Sequence, residues 1–133
     1  MEDLKERFAS GRRVLAAFRE LSGLATPTAL ERDAAIKRFE YSFDIAWKAC
    51  RDWLLTIEGV DQRTPKGVIR TARVAGLLSD EQTVAALEMA NDRLLASHAY
   101  SEALAGELFG RLDGYGALLQ AWLTAMAARM GES

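Results

Sequence analysis

Apolar residues recur along this chain at threes and fours almost without interruption, the signature of amphipathic helix rather than strand. Leu4, Phe8, Leu15, Phe18 and Leu21 predict a first helix over about residues 3–22, ending near Gly23. After a loop at Thr26-Pro27-Thr28, a long stripe of Ile36, Phe39, Phe43, Trp47, Cys50, Trp53 or Leu54, and Ile57 predicts a second helix that Gly59 stops. Thr64 as N-cap, Pro65 in the first turn and Gly76 as a stop predict a short third helix. Ser79 with Gln82 three residues on has the capping-box form, and Val84, Leu87, Leu94 and Leu95 carry a fourth helix toward His98. Ser101-Glu102 opens a fifth, in which Leu104, Leu108, Leu112, Tyr115, Leu118 or Leu119, Trp122, Met126 and Met130 repeat over about four heptads. No strand alternation, internal repeat or low-complexity linker is present. The pattern predicts an all-α, antiparallel four-helix up-and-down bundle with an additional short helix, forming one domain over residues 1–133.

Composition adds bounds to that picture. A chain of 133 residues, 50% of them hydrophobic, can bury a core without disulfides or metal staples. Cys50 is the single cysteine and lies among Trp47, Trp53 and Leu54, where a free thiol behaves as a small hydrophobe. With the polar segment Met1-Glu2-Asp3-Leu4-Lys5 at the start, this points to a cytoplasmic protein. The least polar stretch, Gly114 to Ala128, carries Gln120 and Thr124 and is too short for the roughly 20 residues of a membrane span. A net charge of −2 gives no general attraction to nucleic acid, so any RNA contact must be local. The abundance of Trp, Met and Leu on several helices exceeds what a monomeric bundle buries, which predicts a homodimer.

Candidate chemistry is concentrated in Asn91-Asp92-Arg93-Leu94-Leu95-Ala96-Ser97-His98-Ala99-Tyr100, which contains the chain's one histidine. Arginine offers a permanent cation with a donor fork suited to phosphate, and histidine exchanges protons near neutrality. In an unbroken helix His98 would join the apolar stripe of Val84, Leu87, Asn91 and Leu95, with Arg93 about 140° away around the axis. Convergence therefore requires the helix to end or distort before His98, or a second subunit to complete the cleft. The simpler structural reading has His98 capping a helix end, Arg93 in an ion pair and Asn91 specifying packing. On the third helix, Arg63, Lys66, Arg70 and Arg73 line the side opposite Val68, Ile69, Ala72 and Ala75, a basic stripe open to phosphate, an acidic partner or solvent. One histidine and one cysteine nearly fifty residues apart make no metal-ligand cluster, and neither a Gly-rich phosphate loop nor any cofactor motif is present.

Phe39-Glu40-Tyr41-Ser42-Phe43-Asp44-Ile45-Ala46-Trp47-Lys48 resembles the second-helix signature of the bacterial nucleotidyltransferase substrate-binding proteins, which are grouped with the HepT-type toxins in the HEPN superfamily. Thr64-Pro65-Lys66-Gly67-Val68-Ile69-Arg70, Ala75-Gly76-Leu77-Leu78, and Asp92-Arg93 through His98-Ala99-Tyr100 follow in that family's order, so the resemblance spans roughly residues 30–105. It implies a homodimeric helical bundle that assembles with a small nucleotidyltransferase encoded nearby, the pair forming a toxin-antitoxin module. It also implies a metal-independent RNase site made by Arg93 and His98, silenced when the partner adds AMP to Tyr100. Leu94 stands where the family commonly has a polar residue, usually asparagine. That departure keeps open the alternative of a non-catalytic nucleotidyltransferase substrate-binding subunit.

Overall fold

The computed structural model describes residues 2–98 and 101–131. Five α-helices are present: α1 (Glu2–Ser22), α2 (Ala29–Trp53), α3 (Pro65–Val74), α4 (Asp80–Ala96) and α5 (Glu102–Arg129). No strand occurs among the described residues. The starts follow local chemistry. Thr28 and Ser79 close reciprocal capping boxes with Glu31 and Gln82, while Thr64 and Ser101 accept from the backbone N–H groups of Gly67 and Leu104.

Side-chain contacts fix the directions. Arg38, early in α2, donates to the Ala17 carbonyl near the end of α1, whereas Arg7 of α1 pairs with Asp52 late in α2, so the two helices run antiparallel. Phe39 stacks on Tyr115, and Trp53 lies under Arg129, so α2 and α5 run parallel. Helix α4 runs antiparallel to α2, with Arg93 opposite Glu40 and Asp44 and Ala96 near Ile36. The up-and-down bundle therefore has α2 and α5 touching across its middle, while α1 and α4 stand on opposite sides, without contact among the described residues. Helix α3 packs on α2 and α4 through Val68, Ile69 and Ala72.

The centre is aromatic. Phe18 and Phe43 flank Phe39 at ring distances of 6.0 and 6.5 Å, and Phe39 stacks on Tyr115 at 5.5 Å. Cys50 is fully buried among these helices, and burial pushes its thiol up to about 12. No helix among the described residues is long and apolar enough to cross a membrane.

Three expectations change. The second helix does reach Gly59, whose left-handed φ of 71° ends it, but Leu54–Glu58 winds as a π turn. The wider turn shifts the register, so Leu54 is buried while Ile57 leaves the stripe and joins Leu55 at the surface. The fourth helix is rotated from the expected orientation. Thr83, Ala86, Met89, Ala90, Asp92 and Ala96 face inward, whereas Val84 (60% exposed), Leu94 (67%) and Leu95 are outside. Small residues let α4 approach α2 and α5 closely, and the buried Asp92 fixes which face does so. Finally, Trp53, Trp122, Met89 and Met126 lie in the core, so the large apolar side chains at the surface are mainly Leu, Ile and Val rather than Trp or Met.

Candidate functional site

Asp92 and Arg93 are neighbours pointing about 100° apart on α4, and each is held by a different helix. Asp92 accepts from Arg111 Nε at 2.7 Å and Nη2 at 3.2 Å, and also from the Tyr115 hydroxyl. Burial, reinforced by the hydrogen bond to Asp92, raises the Tyr115 pKa above its ordinary value. This clamp ties α4 to α5 and turns the next residue toward α2.

There Arg93 meets two carboxylates. Its Nε and Nη2 each lie 3.0 Å from an oxygen of Asp44, a two-point pair matched to the planar guanidinium fork. Nη1 lies 3.1 Å from Glu40 Oε2 and donates to Ser97 Oγ at 3.2 Å. The hydrogen bond to Asp44 raises the Arg93 pKa further above its already high value. Glu40 is buried and also has Lys37 Nζ at 3.7 Å. Three of Arg93's five N–H donors are thus hydrogen-bonded, two to Asp44 and one to Ser97, while Glu40 makes an ion-pair contact at Nη1.

Helix α4 ends before the histidine. Ser97 is the C-cap and keeps right-handed helical dihedrals, and the His98 N–H bonds the Leu95 carbonyl at 2.9 Å, closing a tighter last turn just past the α-helix. His98 is exposed, and the preceding residue's hydroxyl is bonded to Arg93. Arg93 thus bonds the residue before His98, at the same end of α4. Tyr100 lies outside the described residues.

An open groove of about 750 Å³ adjoins Arg93. Helix α2 contributes Phe43, Asp44, Trp47 and Lys48, the start of α3 contributes Lys66, and α4 contributes Arg93 and Leu94. Lys66 is placed there by the Thr64 cap. A Cβ on Gly67 would sit 2.9 Å from Thr64 Oγ1 and 2.7 Å from Gln62 Oε1, so glycine lets both side chains close over the first turn. The basic stripe of α3 is divided. Arg70 and Arg73 border a separate depression of about 430 Å³ with Val74, Asp80, Thr83 and Val84, and Arg73 pairs with Asp80 at 2.7 Å.

Glu40 and Asp44 are the site residues that sequence reasoning did not assign. A glutamate set between Phe39 and Phe43 on an otherwise apolar stripe, with a second carboxylate one turn later, was the available signal. Among the described residues no three His, Cys, Asp or Glu side chains come together as a metal site.

The fold and site define an all-α bundle organised around a carboxylate-held arginine. A family model for proteins described as nucleotidyltransferase substrate binding protein like matches residues 6–128, and the chain belongs to that family. A protein of Thermus thermophilus with a known crystal structure is 46% identical to it, covering 87% of this chain and 98% of the other with a TM-score of 0.86. None of the curated proteins compared with the chain matches it.

Proposed function

We propose that this chain is the HEPN-type subunit of a two-component module with a small nucleotidyltransferase, and that as a homodimer it cleaves RNA without a metal through Arg93 and His98. The observation that carries this reading is the end of α4 at Ala96, with Arg93 reaching one turn forward to Ser97, the residue before His98. In the reaction His98 accepts the proton of a ribose 2′-hydroxyl, and that oxygen attacks the adjacent phosphorus. The 5′-oxygen leaves with a proton from an imidazolium, giving a cyclic phosphate and a 5′-hydroxyl end. Arg93 meets the growing charge with its remaining Nη2 hydrogen and with the Nη1 hydrogen now on Ser97, a solvent-exposed partner that a phosphate oxygen readily replaces. AMP added to Tyr100 by the partner would place an anion two residues from His98 and block this chemistry.

The second copy docks on α4's outward face in this reading. Val84, Leu87 and Leu95 form an apolar stripe with Asn91 within it. An amide carries both donor and acceptor, so Asn91 can pair with its own symmetry mate, which favours a second copy of this chain on that face.

One observation favours the non-catalytic alternative. Glu40 and Asp44 already neutralise Arg93, as they would in a purely structural ion pair. Incubating purified protein with single-stranded RNA separates the two readings. The cleaving subunit yields cyclic-phosphate ends that vanish in His98→Ala. Intact RNA, together with stable co-purification of the neighbouring nucleotidyltransferase, establishes the binding subunit instead.

A further inference from the structure

The groove beside Arg93 has features that an ion-pair network alone does not require. Its volume of about 750 Å³ lies in the range of small-ligand sites, roughly 300–1,000 Å³, and its walls are mostly apolar with a few convergent charges. Those charges are unbalanced. Lys48, Lys66 and Arg93 face Asp44, a local surplus of two positive charges in a chain whose net charge is −2. Arg93 is already matched by Asp44, so the surplus resides on the lysines. Both are half-buried, and neither has a carboxylate partner among the described residues. The start of α3 adds the positive end of a ten-residue helix to the same rim. Two aromatic rings, Phe43 and Trp47, complete the floor.

Leu94 fits this setting. It is 67% exposed and lines the groove directly after Arg93. An apolar wall opposite aromatic rings, with unpaired ammonium groups nearby, suits a flat aromatic base attached to a phosphate. An acidic peptide would use the lysines and leave the rings uncovered.

We propose that this groove is a subsite for one unpaired nucleotide, with the base held by Phe43, Trp47 and Leu94 and the phosphate charge met by Lys48 and Lys66. The inference deepens the RNA-cleaving reading and rests on it only for the strand from which the nucleotide comes. A base paired and stacked within a duplex cannot enter, so the subsite selects single strands.

The test is binding without cleavage, using fluorescence anisotropy of a labelled single-stranded deoxyhexanucleotide on the full chain. The probe lacks the 2′-hydroxyl that the proposed chemistry needs, so its binding is independent of catalysis. Saturable binding is expected, weakened about fivefold or more by Trp47→Leu, in line with the loss of about 1–3 kcal/mol of base stacking. Lys66→Gln should reduce the slope of log affinity against log salt by about 0.7, the value for one phosphate contact on a single strand. Because Trp47→Leu disturbs a packed residue, Lys66→Gln and Leu94→Asn, both at the groove's surface, carry the test if that variant fails to fold. Adenosine monophosphate competing as well as the oligonucleotide identifies a free nucleotide as the source and supports the subsite. Equal competition by the annealed duplex or by hexaglutamate overturns it, as does affinity unchanged in all three variants. Binding with no cleavage of the matching RNA sinks the RNase reading and leaves the subsite standing.

Discussion

Arg93 and Asp44 join α4 to α2 through a two-point ion pair whose two N···O distances are both 3.0 Å. The pair is partly exposed, Arg93's side chain retaining 23% of its accessible surface, so its worth is well below that of a fully buried bridge. A double-mutant cycle with Asp44→Ala and Arg93→Ala is expected to give a coupling of about 1–2 kcal/mol by urea denaturation. Arg93→Lys keeps the charge but not the fork, and should lose most of that coupling. A cycle summing to zero would mean that the pair does not hold α4 in place.

Asp92 has the opposite task, tying α4 to α5. Tyr115→Phe removes the hydroxyl donor to a buried carboxylate and is expected to cost about 1–2 kcal/mol. The pH dependence has a definite sign. Because the folded pKa of Tyr115 is raised, the native state keeps a proton that the unfolded chain loses above about pH 10. Its contribution is therefore full below pH 10 and is lost as pH rises toward the folded value. Wild-type melting temperature should fall more steeply between about pH 9.5 and about pH 11 than that of Tyr115→Phe, and parallel curves would contradict this assignment.

Cys50 supplies a chemical check on the packing of α2. A thiol raised to about 12 by burial is neither ionised nor accessible at neutral pH. A disulfide reagent should leave the native protein unmodified over minutes and modify one equivalent in denaturant. Rapid native labelling would show that this end of the core opens.

Much of this architecture was legible in the chain, and the exceptions have physical causes. Apart from the half-buried Trp47, the stripe from Ile36 to Leu54 and the heptads from Leu108 to Met126 are buried as their periods require. The π turn was hidden because Leu55 and Ile57 are as apolar as the residues they follow, and only tertiary packing decides where an extra residue enters a turn. The rotation of α4 was hidden for a similar reason. Hydropathy favours burying Val84, Leu94 and Leu95, but close packing of Ala86, Ala90 and Ala96 and the satisfaction of Asp92 favour the other face. Arg93 and His98 were visible as residue types. The carboxylates that hold Arg93 come from a different helix, Asp44 lying 49 positions away, a relationship no local pattern encodes.

The outward stripe of α4 gives the last prediction. An apolar band from Val84 to Leu95 spans about 16 Å of helix, at about 1.5 Å per residue, enough for a helix-to-helix contact between two copies. Light scattering at micromolar concentration should therefore report a dimer, and Leu95→Glu, which buries one charge from each copy at the contact, should yield monomer. Leu95 lies outside the groove beside Arg93, so the monomeric variant should keep its affinity for a single-stranded oligonucleotide while losing any cleavage that needs both copies. Asn91→Leu separates the register from the apolar contact. Removing the one self-complementary amide should preserve or tighten association while permitting alternative oligomers, as polar-to-apolar changes at helix interfaces do. A wild-type monomer, or a Leu95→Glu dimer indistinguishable from wild type, would place the interface elsewhere and detach the two-site mechanism from this face of α4.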